Sequence, residues 1–313
     1  MPKIGISSCL LGKKVRHDGG HKNNRFVNDI LTNYMKFYDF CPEMGCGLGV
    51  PRKPIHLLKS DGGIQLVDSR DPLKNYTSLM QEYAHPLSIE IGAKLNGFIF
   101  KSKSPSCGME RVPVYNGKPN SSPNYTGVGL FADIFIKNNP DLPTEEEGRL
   151  NDSHIRENFL ERVYAHFRFH KIKKRSVDSL LKFHASYKFS IMARGSQYPS
   201  ELGRLAASAN NANVEQVYKD YFHRFMQIMK IQATRKKHIN TMQHIMGYYK
   251  KELDSVSKHE ILEIFDSYKT FEVPLSTPMA ILNLFQKKYQ NEYLKSQYYL
   301  NPYPKSLALR ASI

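Results

Sequence analysis

The chain has four cysteines, at positions 9, 41, 46 and 107, and residues 108–313 have none. A thiolate is both a nucleophile and a soft metal ligand, so thiols confined to one part of a chain are the first candidates for chemistry. Three of them sit in polar, glycine-rich phrases. Ser7-Ser8-Cys9-Leu10-Leu11-Gly12 is followed by Arg16-His17-Asp18-Gly19-Gly20. Cys41-Pro42-Glu43 is followed by Gly45, Gly47, Gly49 and Pro51-Arg52. The third is Ser102-Lys103-Ser104-Pro105-Ser106-Cys107-Gly108. Glycines let backbone amides approach a cluster or an anion closely. No paired Cys-x-x-Cys spacing of the kind that marks a closed zinc site is present. From the residues alone three explanations stand: zinc ligands, buried structural thiols, or ligands of an iron–sulfur cluster.

Each cysteine phrase follows a short apolar run: Lys3–Ser7 before Cys9, Phe37–Phe40 before Cys41, and Leu95–Phe100 before Cys107. These runs have strand length. Helical periodicity covers Phe26–Tyr34, Tyr76–Leu95 (bent or broken near Pro86) and Val128–Ile136. Strands alternating with helices predict an α/β, Rossmann-like domain with a mostly parallel sheet. In such sheets the crevice at the carboxyl ends of the strands binds ligands. Cys9, Cys41 and Cys107 fall at such ends, so this topology would gather them at one rim.

Charge divides the chain in the opposite sense. The net charge of +16 splits into +4 for residues 1–150 and +12 for residues 151–313. Apolar residues make up 41 % and charged residues 24 %, which excludes disordered and collagen-like classes. No apolar run reaches the roughly 18 residues of a membrane helix, and the opening Met1–Lys14 lacks the pattern of a signal peptide. A soluble, cytoplasmic protein is the expectation, where cysteine serves metal or catalysis more often than disulfides. The Asn139-Pro140-Asp141-Leu142-Pro143 phrase breaks any helix and sets the boundary between domains 1–142 and 143–313. Glu145, Glu146 and Glu147 after it suit the first turn of a short helix.

The second domain reads as all-α, with five to seven helices. Val214, Val217, Tyr218, Tyr221, Phe222, Phe225, Met226 and Met229 form the apolar stripe of a long helix, and Ser176 is a cap for the helix from Val177. Its basic clusters are Lys171, Lys173, Lys174 and Arg175, and Arg235, Lys236 and Lys237. Lys and Arg runs in a domain this basic suit the phosphates of RNA. Tyr248 and Tyr249 lie nearby, with core packing the simpler role.

Taken in order, the three cysteine phrases resemble the thiouracil desulfidase family. The linker Glu146–Asp152, the Ile155-Arg156-Glu157-Asn158-Phe159 phrase and the closing Gln297–Lys305 are similar to the family's long form, in which a YbgA-type helical domain follows. The resemblance implies an α/β fold and a 4Fe-4S cluster held by three cysteines, Cys9, Cys41 and Cys107. It implies removal of sulfur from a thiocarbonyl, with 2-thiouridine in RNA, tRNA in particular, as the long form's substrate. Cys46 departs from the pattern, because a fourth thiolate would close the cluster. Glu43 is then the acid/base candidate, with pairing to Arg52 as its structural alternative. Ser102 and Ser104 are candidates for orienting water or base, and Lys101 and Arg52 for a phosphate or base edge. No nucleotide-cofactor motif is present. Two rivals remain: a non-catalytic iron–sulfur RNA-binding or regulatory protein, and a desulfidase of free 2-thiouracil.

Overall fold

The computed structural model describes residues 1–117 and 122–313. It divides into two compact units, Met1–Asn151 and Asp152–Ile313. The first is built on a four-stranded sheet with β1 (Lys3–Ser7), β2 (Lys36–Phe40), β5 (Gly97–Phe100) and β8 (Thr144–Glu146) in the order β2-β1-β5-β8. Every pairing in it is parallel. The predicted α/β sheet is therefore present, and the three runs that precede the cysteine phrases are its strands. From β1 the chain passes to β2 on one side, and β5 later returns to the other side. The strand order thus reverses at β1, the position where open parallel sheets form their crevice.

Two helices cover this sheet: α2 (Thr77–Gly92, spanning Pro86) and α3 (Leu130–Asn138). Both lie where helical periodicity placed them. The segment at Phe26–Tyr34 is helical but not α-helical, with one π-type turn at Phe26–Ile30 and one 3-10 turn at Leu31–Asn33. The periodicity shows that one face is buried, not how tightly the turns wind. Strand β5 is buried along its whole length. Phe98 and Phe100 on it pack against Phe131 and Phe135 of α3, with ring centroids 4.8 to 6.3 Å apart.

Two features depart from expectation. A second sheet, with order β4-β3-β6-β7, was not foreseen. It comprises β3 (Ile55–Ser60), β4 (Gly63–Asp68), β6 (Val112–Tyr115) and β7 (Asn124–Gly127). The second departure is at Glu145–Glu147. Residues 144–146 form strand β8 against β5, not the first turn of a helix. The acidic side chains are held by fixed partners: Glu146 accepts the Met109 amide at 2.7 Å, and Glu145 pairs with Arg149 at 2.7 Å. This pairing also puts residues 143–151 in the first unit, later than the 142/143 division read from the prolines.

The second unit is helical, as expected. Its longer helices are α4 (Ser153–His170), α5 (Val177–Met192), α6 (Tyr198–Ala207), α7 (Val214–Lys230), α8 (Arg235–Met246), α9 (Ser255–Lys269) and α10 (Ser276–Tyr289). Ser176 caps α5 through a reciprocal capping box with Ser179, and Asp152 caps α4. The α7 stripe is core, and Tyr249 is core as well, whereas Tyr248 is partly exposed and stacks on Tyr293. No helix among the described residues is long and apolar enough to cross a membrane.

The close approach of β5 to β1 requires Gly5. A Cβ there would stand 2.3 Å from the Phe98 ring and 2.8 Å from Leu95. Overpacking of this kind costs ~1–3 kcal/mol. Gly5→Ala is expected to lower stability by that amount in urea denaturation, and Phe98→Ala by ~3–5 kcal/mol through the cavity it leaves. A wild-type midpoint for both would contradict the packing described.

Candidate functional site

At the carboxyl ends of β2, β1 and β5 lies a cavity of about 360 Å³. Cys9, Cys41 and Cys107 all line it, although 66 residues separate the last two in sequence. Backbone geometry explains the gathering. Register pairs Ser7 with Phe40, so Cys41 leaves its strand one residue past the level of Ser7, and Cys9 follows two residues after Ser7. The Cys9 carbonyl accepts the amides of Gly12 and Lys22, which folds residues 12–24 back onto the site. Cys41 caps the short helix Pro42–Gly45, and its carbonyl accepts the Gly45 amide at 2.8 Å. Cys107 sits on a loop clamped to the start of α3. There the Leu130 and Ala132 amides donate to Pro105 and Ser106, and a Cβ on Gly129 would stand 2.6 Å from the Ser106 carbonyl.

All three thiols are raised above the usual thiol range by burial. Cys9 is pushed up to about 11 against the opposing charge of Lys101, Cys41 is raised, and Cys107 is raised well above. The charge of Cys41 opposes ionisation of Cys9, and those of Cys9 and Cys41 oppose that of Cys107. Binding a metal would hold such thiols as thiolates and release their protons. Among the described residues no three Cys, His, Asp or Glu side chains converge on a single-ion position. Three thiols around one cavity are a donor set of the type that iron–sulfur clusters use, each thiolate taking its own iron.

Cys46 does not line the cavity. It is buried in the hydrophobic core, with its sulfur 3.5 Å from the Glu43 carbonyl. Glu43 does line it, with both carboxylate oxygens engaged: Oε2 by the Arg52 guanidinium and Oε1 by the Ser106 hydroxyl at 3.0 Å. Arg52 is itself fixed by the carbonyls of Val15 and Gly49. Glu43 thus presents a rigid carboxylate at the wall. Ser104 has a structural task, because its hydroxyl accepts the amides of Ser106 and Cys107 and shapes the turn that holds the thiol. Ser102 belongs to a small network that also includes Lys101 and Glu147. Lys101 Nζ donates to Glu147 at 2.5 Å and to Ser102 Oγ at 3.0 Å, while Ser102 donates its amide and hydroxyl to the same carboxylate. Sequence reading missed Glu147. Its only signal was one carboxylate in an acidic triplet, and the β5–β8 pairing is what brings it to Lys101.

The basic clusters of the second unit are unequal. Arg235 donates to the carbonyls of Tyr268 and Val273 and lies over the rings of Tyr268 and Phe271. Lys237 donates to the Arg194 carbonyl at 2.6 Å, and Arg175 pairs with Glu215. All three are expected RNA contacts; Arg235 and Lys237 are tied to backbone carbonyls, whereas the Arg175–Glu215 pair lies at the surface. Lys171, Lys173, Lys174 and Lys236 are exposed.

Removing Glu147 would leave the largely buried Lys101 ammonium without its carboxylate. Breaking one side of a buried pair costs ~3–5 kcal/mol. Glu147→Ala is expected to lose about that much stability, and Ser104→Ala only ~1 kcal/mol from its local hydrogen bonds. Equal, small losses in thermal denaturation would contradict the assigned network.

Residues 4–147 match the family model for 2-thiouracil desulfurase, and residues 188–304 match a family of unknown function, DUF1722. The uncharacterized protein YbgA of Escherichia coli (strain K12) is 26 % identical over 156 residues, which is 49 % of this chain and 92 % of that protein. A solved structure of a 4Fe-4S-dependent thiouracil desulfidase, TudS, is 24 % identical with a TM-score of 0.38, across 48 % of this chain and 94 % of that one. The match to the 2-thiouracil desulfurase model thus spans the residues of the three-cysteine cavity, and the match to the DUF1722 model lies within the helical unit.

Proposed function

We propose that the first unit is an iron–sulfur-dependent desulfidase that converts 2-thiouridine in RNA, tRNA in particular, to uridine. The observation that carries this reading is the meeting of Cys9, Cys41 and Cys107 in one cavity that excludes Cys46. Held by three thiolates, a 4Fe-4S cluster would leave one iron without a protein ligand and supply a Lewis-acidic site with an affinity for sulfur.

The net reaction is a redox-neutral hydrolysis. Water oxygen bonds to C2, the C2–S bond breaks, and the two water protons leave with the sulfur as hydrogen sulfide. The chain's own residues handle protons and position. Glu43, fixed by Arg52 and Ser106, is the carboxylate available to take a proton from water. The Lys101–Ser102–Glu147 network lies beside Cys9 and can donate to a developing oxyanion or thiolate. A stacked base cannot reach such a cavity, so the target base must be single-stranded or flipped. The exposed Lys171, Lys173, Lys174 and Lys236 of the second unit would meet RNA phosphates.

A reading as a desulfidase of free 2-thiouracil is favoured by the description of the matching family. Anaerobically reconstituted protein should be given thiolated tRNA and, separately, free 2-thiouracil, followed by digestion and nucleoside analysis. Conversion of 2-thiouridine to uridine with sulfide release is expected. Removing charge at Lys173, Lys174 and Lys236 should lower the ratio of tRNA to free-base turnover. Unchanged 2-thiouridine with the cluster intact would overturn the proposal, and conversion of 2-thiouracil alone would assign the free base.

A further inference from the structure

The second unit holds a cleft of about 490 Å³. Small-molecule sites are concave, mostly apolar spaces of roughly 300–1,000 Å³ with a few placed polar groups. Helix α10 forms one wall with Met279, Ala280 and Leu284, and the segment 300–311 forms the other with Leu300, Pro302 and Leu309. Leu284 is 59 % exposed, which leaves that apolar wall open to water.

The charged lining of the cleft is one-sided. Lys287, Lys305 and Arg310 line it, and no Asp or Glu among the described residues does. The two lysines are exposed, whereas Arg310 is only 7 % exposed. Arg310 is fixed from within the unit: Nε donates to Glu157 at 3.0 Å and Nη1 to the Tyr299 carbonyl at 2.6 Å. Its Nη2 is buried without an acceptor. A buried N–H that lacks a partner is costly, so an acceptor brought by a ligand would be favourable there. Ala308, also in the lining, has a φ of 48°, a left-handed conformation that favours glycine. Strain of this kind persists where the surrounding structure enforces it, and it concentrates at functional sites. Here the turn closed by the Ala308 amide on the Lys305 carbonyl carries Lys305 and Arg310 to the same cleft.

Apolar walls disfavour a sugar or another strongly hydrated ligand, and cations without a carboxylate disfavour an amine. We propose that this cleft binds a small aliphatic carboxylate, with the hydrocarbon chain along α10 and the carboxylate group at Arg310, Lys287 and Lys305. The second unit would thus have a ligand of its own, independent of the proposed reaction.

Octanoate, 1-octanol and octylammonium are the probes, titrated into the full-length, cluster-loaded protein and followed by ligand-observed NMR. Octanoate should bind at least about tenfold more tightly than octanol, the effect of one charge-assisted hydrogen bond, and octylammonium should bind weakest. Added salt should narrow the difference. Because Arg310 is embedded in the core, the variants are placed at exposed positions of the cleft. Lys287→Met/Lys305→Met should reduce the preference for octanoate over octanol. Ala280→Trp, which fills the cleft from an exposed position of α10, should abolish octanoate binding and leave the thermal midpoint unchanged. Octanoate binding no tighter than that of octanol, an unchanged preference in the lysine variant, or unchanged binding in Ala280→Trp would overturn the proposal. So would self-association that Ala280→Trp abolishes in a protein indifferent to octanoate, since the cleft would then belong to a second copy of the chain.

Discussion

The parallel pairing of β1 with β2 on one side and β5 on the other is the constraint on which the site depends. Parallel strands end at the same edge, so the three loops that follow them begin together. No local sequence signal links Cys9, Cys41 and Cys107. Their nearness comes from strand register, and the register is held by the Phe98–Phe100–Phe131–Phe135 cluster and by the absence of a side chain at Gly5. Mispairing of β5 would therefore disperse the thiols.

Around this edge the chain uses polar groups mainly to make the loops rigid. Glu43 fixes Arg52, Arg52 fixes the Val15 and Gly49 carbonyls, and Glu147 fixes both Lys101 and Ser102. Rigid placement suits catalysis, because groups already in position cost little reorganisation when charge develops. It also makes several residues serve two purposes. Glu43 is an acid/base candidate and the structural partner of Arg52 at once, so the two readings of this residue coexist.

The first sheet was legible because each of its early strands is a short apolar run next to a loop of unusual composition. The capped helices and the α7 stripe were legible because caps and apolar period act locally. The second sheet was not, since β3 and β4 alternate only weakly and the pairing of β3 with β6 spans more than fifty residues. Glu145–Glu147 misled for a related reason: an acidic triplet suits a helix start, and only partners distant in sequence make it a buried strand end. Likewise Arg235 and Lys237 look like surface charge until their carbonyl acceptors are known. Of the four cysteines, residue spacing alone could not separate Cys46 from the rest, and its absence from the cavity lining does so.

The division of thiols and charge between the two units gives each a distinct chemical character. The first holds the cavity, and the second contributes most of the excess charge and an aromatic core. The cavity's identity turns on which sulfurs hold iron. The most direct measurement is iron and acid-labile sulfide per chain, with the visible absorption of the cluster, in anaerobically reconstituted wild type and single Cys→Ala variants. About four irons per chain in the wild type and in Cys46→Ala is the expected result, with loss in Cys9→Ala, Cys41→Ala and Cys107→Ala. Loss of the cluster in Cys46→Ala, or its retention when any of the other three is removed, would contradict the three-cysteine site.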